Sequence, residues 1–156
     1  LLELILVLVV IATVLAMVVP SLRNFCQGRE TADAAARLLA LAHYARAQAA
    51  AEARPFRLCF DVQSNLCFLT AQRAGSFQPV DGQMGRPLAF PPGATVRVLD
   101  PQGGQSSSGC VEFSPDGRTQ PAAFEIIGQS GDVCRVICDS PTERFRIETT
   151  SEANAR

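Results

Sequence analysis

The sequence predicts an α+β fold, in which one long N-terminal helix packs on an antiparallel β head. Three observations lead there. Positions 4–19 are an unbroken apolar run in which Thr13 is the only polar residue. From Thr31 to Ala53 there is no Gly or Pro, and Ala and Leu recur at three- and four-residue spacing. Beyond Pro55, short β-rich runs alternate with turn chemistry about every ten residues. The 156 residues allow one domain of ordinary size, not two.

The apolar run, extended by Leu1 and Leu2 past Glu3 and closed by Pro20, is too long for a core strand. As a helix, positions 1 to 20 would measure roughly 30 Å, the thickness of a bilayer's hydrocarbon. We therefore expect a transmembrane helix half over 1–22 and a head over 23–156. A cleaved signal peptide would carry a basic leader and a small-residue cleavage site, and neither is present. A plain single-pass anchor explains the length but not Glu3. An ionised carboxylate in an apolar helix is costly unless paired, so its presence points to function.

After Pro20 the pattern stays helical over 23–53. Ala35, Leu38, Leu39, Ala42, Ala45 and Ala49 form a narrow seam, while Arg37, Arg46 and Glu52 fall off it. Pro20 and Gly28 are the expected kinks or melted points. Arg54-Pro55 ends the helix, because the residue before proline is pushed out of the helical region. The β region spans 56–148. Strands are expected at 56–60 and 66–70 around the turn 61–65, then at 88–90, 94–99, 110–113, 122–127, 133–138 and 144–148. Gly75 to Pro87 reads as a loop, 100–109 as the least ordered stretch, and the tail from Thr149 as frayed.

Leu1-Leu2-Glu3-Leu4-Ile5-Leu6-Val7-Leu8, with Pro20 closing the run, resembles the N-terminus of the type IV pilin-like superfamily. The match lacks the family's first two residues, Phe-Thr, so the start reads as truncated. The resemblance implies a pilin-like fold, cleavage and N-methylation by a prepilin peptidase, and pairing of Glu3 with the methylated amine of an adjacent subunit. Such a buried pair would select axial register more than add stability. The head sharpens the likeness. His43-Tyr44-Ala45-Arg46-Ala47-Gln48-Ala49, Leu88-Ala89-Phe90-Pro91-Pro92-Gly93-Ala94-Thr95-Val96 and Val111-Glu112-Phe113-Ser114-Pro115-Asp116-Gly117-Arg118 are similar to the minor pseudopilin H group of type II secretion and its FimT/FimU minor-pilin relatives. Where the family's last strand often opens with Thr-Gly-Arg, this chain has Pro141-Thr142-Glu143-Arg144.

The resemblance implies a subunit of the type II secretion pseudopilus that supports export of folded proteins across the outer membrane. Its partners would be other minor pseudopilins, the major pseudopilin, the prepilin peptidase, the inner-membrane assembly platform and a secreted substrate. The helix would sit in the inner membrane and the head in the periplasm. The alternatives are a minor pilin of a type IV pilus, acting in pilus assembly or DNA uptake, and a membrane-anchored periplasmic enzyme.

Composition limits the chemistry. All fourteen cations are Arg, balanced by fifteen acids for a net charge of -1. No lysine nucleophile is possible, and no net positive stripe is available for nucleic acid. The single His43 excludes a His-rich metal site and reads as a surface histidine. Asp116-Gly117-Arg118 reads as a tight turn, and no catalytic constellation, cofactor loop or metal pattern is found. Six Cys in a periplasmic head invite disulfides. Cys59 and Cys67 are equidistant from Gln63, so a regular hairpin would bridge them. Cys134 and Cys138 would share a strand face about 13 Å apart, beyond the ~7 Å limit for a disulfide. Cys110 is therefore the expected partner for one of them. Several buried reduced thiols are the alternative reading, and Cys26 is expected to be free.

Overall fold

The computed structural model of the chain describes residues 2–100, 104, 109–129 and 131–148; the side chains of 2 and 17–28 are outside that description. The expected disorder of 100–109 and fraying from Thr149 fall largely or wholly outside these residues. A single helix, α1, runs Leu2–Ala51. Nine strands follow: β1 Phe56–Asp61, β2 Leu66–Arg73, β3 Ser76–Pro79, β4 Leu88–Ala89, β5 Thr95–Leu99, β6 Cys110–Phe113, β7 Ala122–Ile127, β8 Val133–Cys138 and β9 Arg146–Glu148.

Two antiparallel sheets result. The first has the order β3-β2-β1-β6, with β4 paired to β2, and the second β5-β7-β8-β9. Alternation along the strands buries one face of each. Phe56, Leu58, Leu69, Val111 and Phe113 come from the first sheet, Val96, Val98, Phe124, Ile126 and Val136 from the second. The helix closes this core with Ala34, Ala35, Leu38, Leu41, Ala42, Ala45 and Ala49, and it contacts strands of both sheets. Small residues let the helix axis approach closely. Leu39 is only partly buried, at the seam's margin. Phe145 ties the sheets together, its ring 6.1 Å from Phe113 and 5.9 Å from Phe124.

The helix ends as expected, two residues before the predicted limit. Ala53 takes φ 50°, and Arg54 N–H donates to Ala49 O at 3.3 Å. This is the left-handed terminus usually built on glycine. β3 corrects the expectation of a loop over 75–87. Ala74 and Gly75 have φ 48° and 84°, the two positive values of a tight hairpin turn, and they fold Ser76–Pro79 back onto β2. Alanine at the first of these positions hides the turn from sequence reading. β9 is shorter than expected, because Ser140 to Glu143 forms a turn, closed by Glu143 N–H donating to Ser140 O at 3.0 Å, and Phe145 enters the core.

A candidate assembly surface and the cysteines

Over residues 4–15, α1 has no packing partner among the described residues. Leu4 is 67% exposed and Ile11 50%, with the other large apolar side chains between them similarly open. A helix apolar on every face needs lipid or other helices around it. Thr13 fits such surroundings: its hydroxyl donates to the helix's own carbonyls, Val9 O at 3.0 Å and Val10 O at 2.8 Å. Glu3 stands exposed in the first helical turn, and it makes no ion pair among the described residues. Among those residues no helix is long and apolar enough to cross a membrane. The expected span over 1–22 runs on into positions whose side chains are not described. The backbone is helical through Pro20 and Gly28; Cys26 has its side chain outside the described residues.

The cysteines pair differently from expectation. The disulfide is Cys59–Cys110, with Cα atoms 4.0 Å apart. The reason is register. β1 and β2 pair Asp61 with Leu66, so Cys59 lies opposite Phe68 and Cys67 opposite Phe60. The hairpin is centred between Gln63 and Ser64 rather than on Gln63, and this one-residue shift sends the two cysteines to opposite faces. On the other flank of β1, Cys59 lies directly across from Cys110. The turn residues set the register. Asp61 accepts from Gln63 N–H at 3.0 Å and from the Ser64 hydroxyl at 2.6 Å, and Asn65 takes φ 53°. These hydrogen bonds, that from Ser64 foremost, hold the Asp61 carboxyl below its ordinary pKa.

Cys67 is a buried free thiol in the core, and burial pushes its pKa up to about 12. Cys134 and Cys138 are free as well, on one face of β8, with thiols raised chiefly by burial. The expected pairing of Cys110 with either is thus corrected: Cys110 belongs to the other sheet and is already bridged. Among the described residues no three His, Cys, Asp or Glu side chains gather as a metal site.

Sequence reading missed an ordered charge row. On the outer face of the second sheet the register aligns Arg97, Glu125, Arg135 and Glu148 across all four strands. At its centre Glu125 accepts from Arg135 Nε at 2.9 Å and Nη2 at 2.7 Å. The signal was present as charges interrupting apolar strands, but only the register shows that they align. Of the C-terminal arginines, Arg146 is engaged by Asp139 and Glu143. His43 is exposed on α1, and its Nε2 lies 2.9 Å from Phe145 O. Asp116 and Gly117 form the expected tight turn, with Gly117 N–H donating to Ser114 O.

Comparisons with known proteins agree with this architecture. Two solved structures of the minor pseudopilin EpsH from the type II secretion system of Vibrio cholerae share the fold. One is 14% identical with a TM-score of 0.65, covering 77% of this chain and 97% of that one. The other is 12% identical with a TM-score of 0.68, covering 78% and 94%. No curated protein matches in sequence. The family model for type II transport protein GspH matches residues 34–142, most of the chain. With the seam of α1 and eight of the nine strands inside that match, the chain belongs to the GspH family, the minor pseudopilins of type II secretion.

Proposed function

We propose that the chain is stored in the inner membrane by the apolar half of α1 and extracted from it into a periplasmic pseudopilus. There the same surface packs against the helices of neighbouring minor and major pseudopilins. The head stays outside the helical core, where it meets other subunits or secreted substrate, and the assembly supports export of folded proteins across the outer membrane. The carrying observation is that residues 4–15 expose their apolar side chains on every side of a continuous helix, uncovered by any other described residue. Glu3 would pair with the amino terminus of an adjacent subunit, produced by the prepilin peptidase. Pro20 and Gly28 would let the helix bend or melt locally as it leaves the membrane platform, since proline removes one helical hydrogen bond and glycine lowers helix propensity.

Ile11→Arg in the full chain tests this reading. A charge at the centre of a membrane helix costs about 2.5–3.5 kcal/mol on insertion scales. The head should fold, while membrane retention, co-purification with partner pseudopilins and secretion all fall. Normal secretion by this variant would refute the proposal.

A further inference from the structure

At the end of α1 remote from its apolar half, a cavity of about 310 Å³ opens between the helix, the turn at 114–118 and the segment entering β9. His43, Arg46 and Arg144 line it, and Ala47, Ala50 and Gly117 complete the wall without large side chains. Arg46 is held in place: Nη1 donates to Glu143 O and Nη2 to Thr142 O, the latter at 3.0 Å. A guanidinium carries five N–H donors, so these two bonds leave capacity for a further acceptor. His43 reinforces the clamp. Phe145 O can only accept, so Nε2 carries the ring proton.

Among the described residues the cavity has no counter-charge in its lining. Neither Arg46 nor Arg144 forms an ion pair among the described residues. The nearby acids are engaged elsewhere: Glu143 and Asp139 with Arg146, and Asp116 with Arg118. Two guanidiniums, one already immobilised, thus border a concavity of side-chain size. Guanidinium matches a carboxylate in charge and planar geometry, and a pre-ordered donor loses little freedom on binding.

We propose that this cavity is a socket for a carboxylate, supplied by an acidic side chain of a neighbouring subunit's head. The assignment of the neighbour rests on the assembly role proposed above. Lipid phosphate is out of reach on that reading, since residue 43 lies roughly 40 Å along the helix from residue 16. Nucleic acid needs a row of unneutralised cations, whereas the adjoining arginines already carry acids.

The test uses the full chain in detergent, isotopically labelled, titrated with glutarate and with its neutral counterpart glutaramide. Glutarate should shift the His43 and Arg46 side-chain signals saturably, and glutaramide should not. Arg144 is exposed and has no bonded partner among the described residues, so Arg144→Glu should keep the native spectrum elsewhere. It should weaken glutarate binding by about tenfold or more, with Arg144→Gln intermediate. Arg144→Glu should also reduce co-purification with the other minor pseudopilins, and an acid-to-arginine change on the partner should restore it. No saturable shift, or an equal shift in Arg144→Glu, overturns the socket. Tighter Arg144-dependent binding of a DNA duplex at the same salt overturns the carboxylate assignment. Glutarate binding with unchanged co-purification overturns the neighbouring subunit as its source, in favour of a small free carboxylate. The glutarate titration does not depend on the outcome for Ile11→Arg, so failure of the socket and failure of the assembly role are distinguishable.

Discussion

Replacing Cys59 and Cys110 together by Ala removes the one bridge that ties β1 to β6. The bridged residues are 51 apart in sequence. In the chain-entropy description, closing a loop of that length restrains the unfolded chain by about 4 kcal/mol, whereas the short Cys59–Cys67 loop would give only about 2.5 kcal/mol. Urea unfolding of the oxidised full chain in detergent should therefore show the double variant destabilised by up to ~4 kcal/mol. Cys67→Ala should leave the bridge intact. A tryptic map under non-reducing conditions gives a direct readout, because cleavage after arginine places Cys59 and Cys67 together in peptide 58–73 and Cys110 in peptide 98–118. Peptides 58–73 and 98–118 should run as one linked species that separates on reduction. A 58–73 peptide alone, two hydrogens light, would refute the register from which the bridge is derived.

Three further perturbations probe the packing. Leu38→Ala empties a fully buried position in the helix seam and should cost about 2–5 kcal/mol in the same unfolding assay. Ala53→Gly should stabilise the chain by up to about 1 kcal/mol, since Ala53 holds a left-handed φ of 50° that glycine adopts without penalty. The Cys67 thiol stays protonated in the fold to about pH 12, while the unfolded thiol ionises from about 9.0. Its contribution to stability is complete below pH 9.0 and is lost as pH rises toward 12, at no more than about 1.4 kcal/mol per pH unit. Cys134 and Cys138 act in the same direction, and Cys67→Ala should flatten the alkaline slope.

Patterns that depend only on neighbours along the chain were legible. The apolar run, the Ala seam and the strands at 110–113, 122–127 and 133–138 coincide with β6, β7, β8 and the buried helix face. Features set by register were not. The Cys59–Cys67 expectation failed by a single residue, because the Asp61 cap and Asn65 fix a four-residue loop that composition alone does not reveal. Register also hid the row from Arg97 to Glu148 and the cavity beside Arg46, whose parts lie roughly a hundred positions apart in sequence. Of the proposed assembly surface, Glu3 and its apolar helix were visible at once, because a lone acid in such a run is anomalous whatever the tertiary structure.

That acid carries the central claim. Glu3→Gln keeps the shape of the side chain and removes its charge, so it leaves the head and the apolar helix unchanged. The decisive quantity is the amount of partner pseudopilin that co-purifies with the full-length Glu3→Gln chain from solubilised membranes, relative to the unaltered chain. Pairing of Glu3 with a neighbour's amino terminus predicts a clear fall in that amount, matched by Glu3→Ala. Undiminished co-purification by both variants would contradict it.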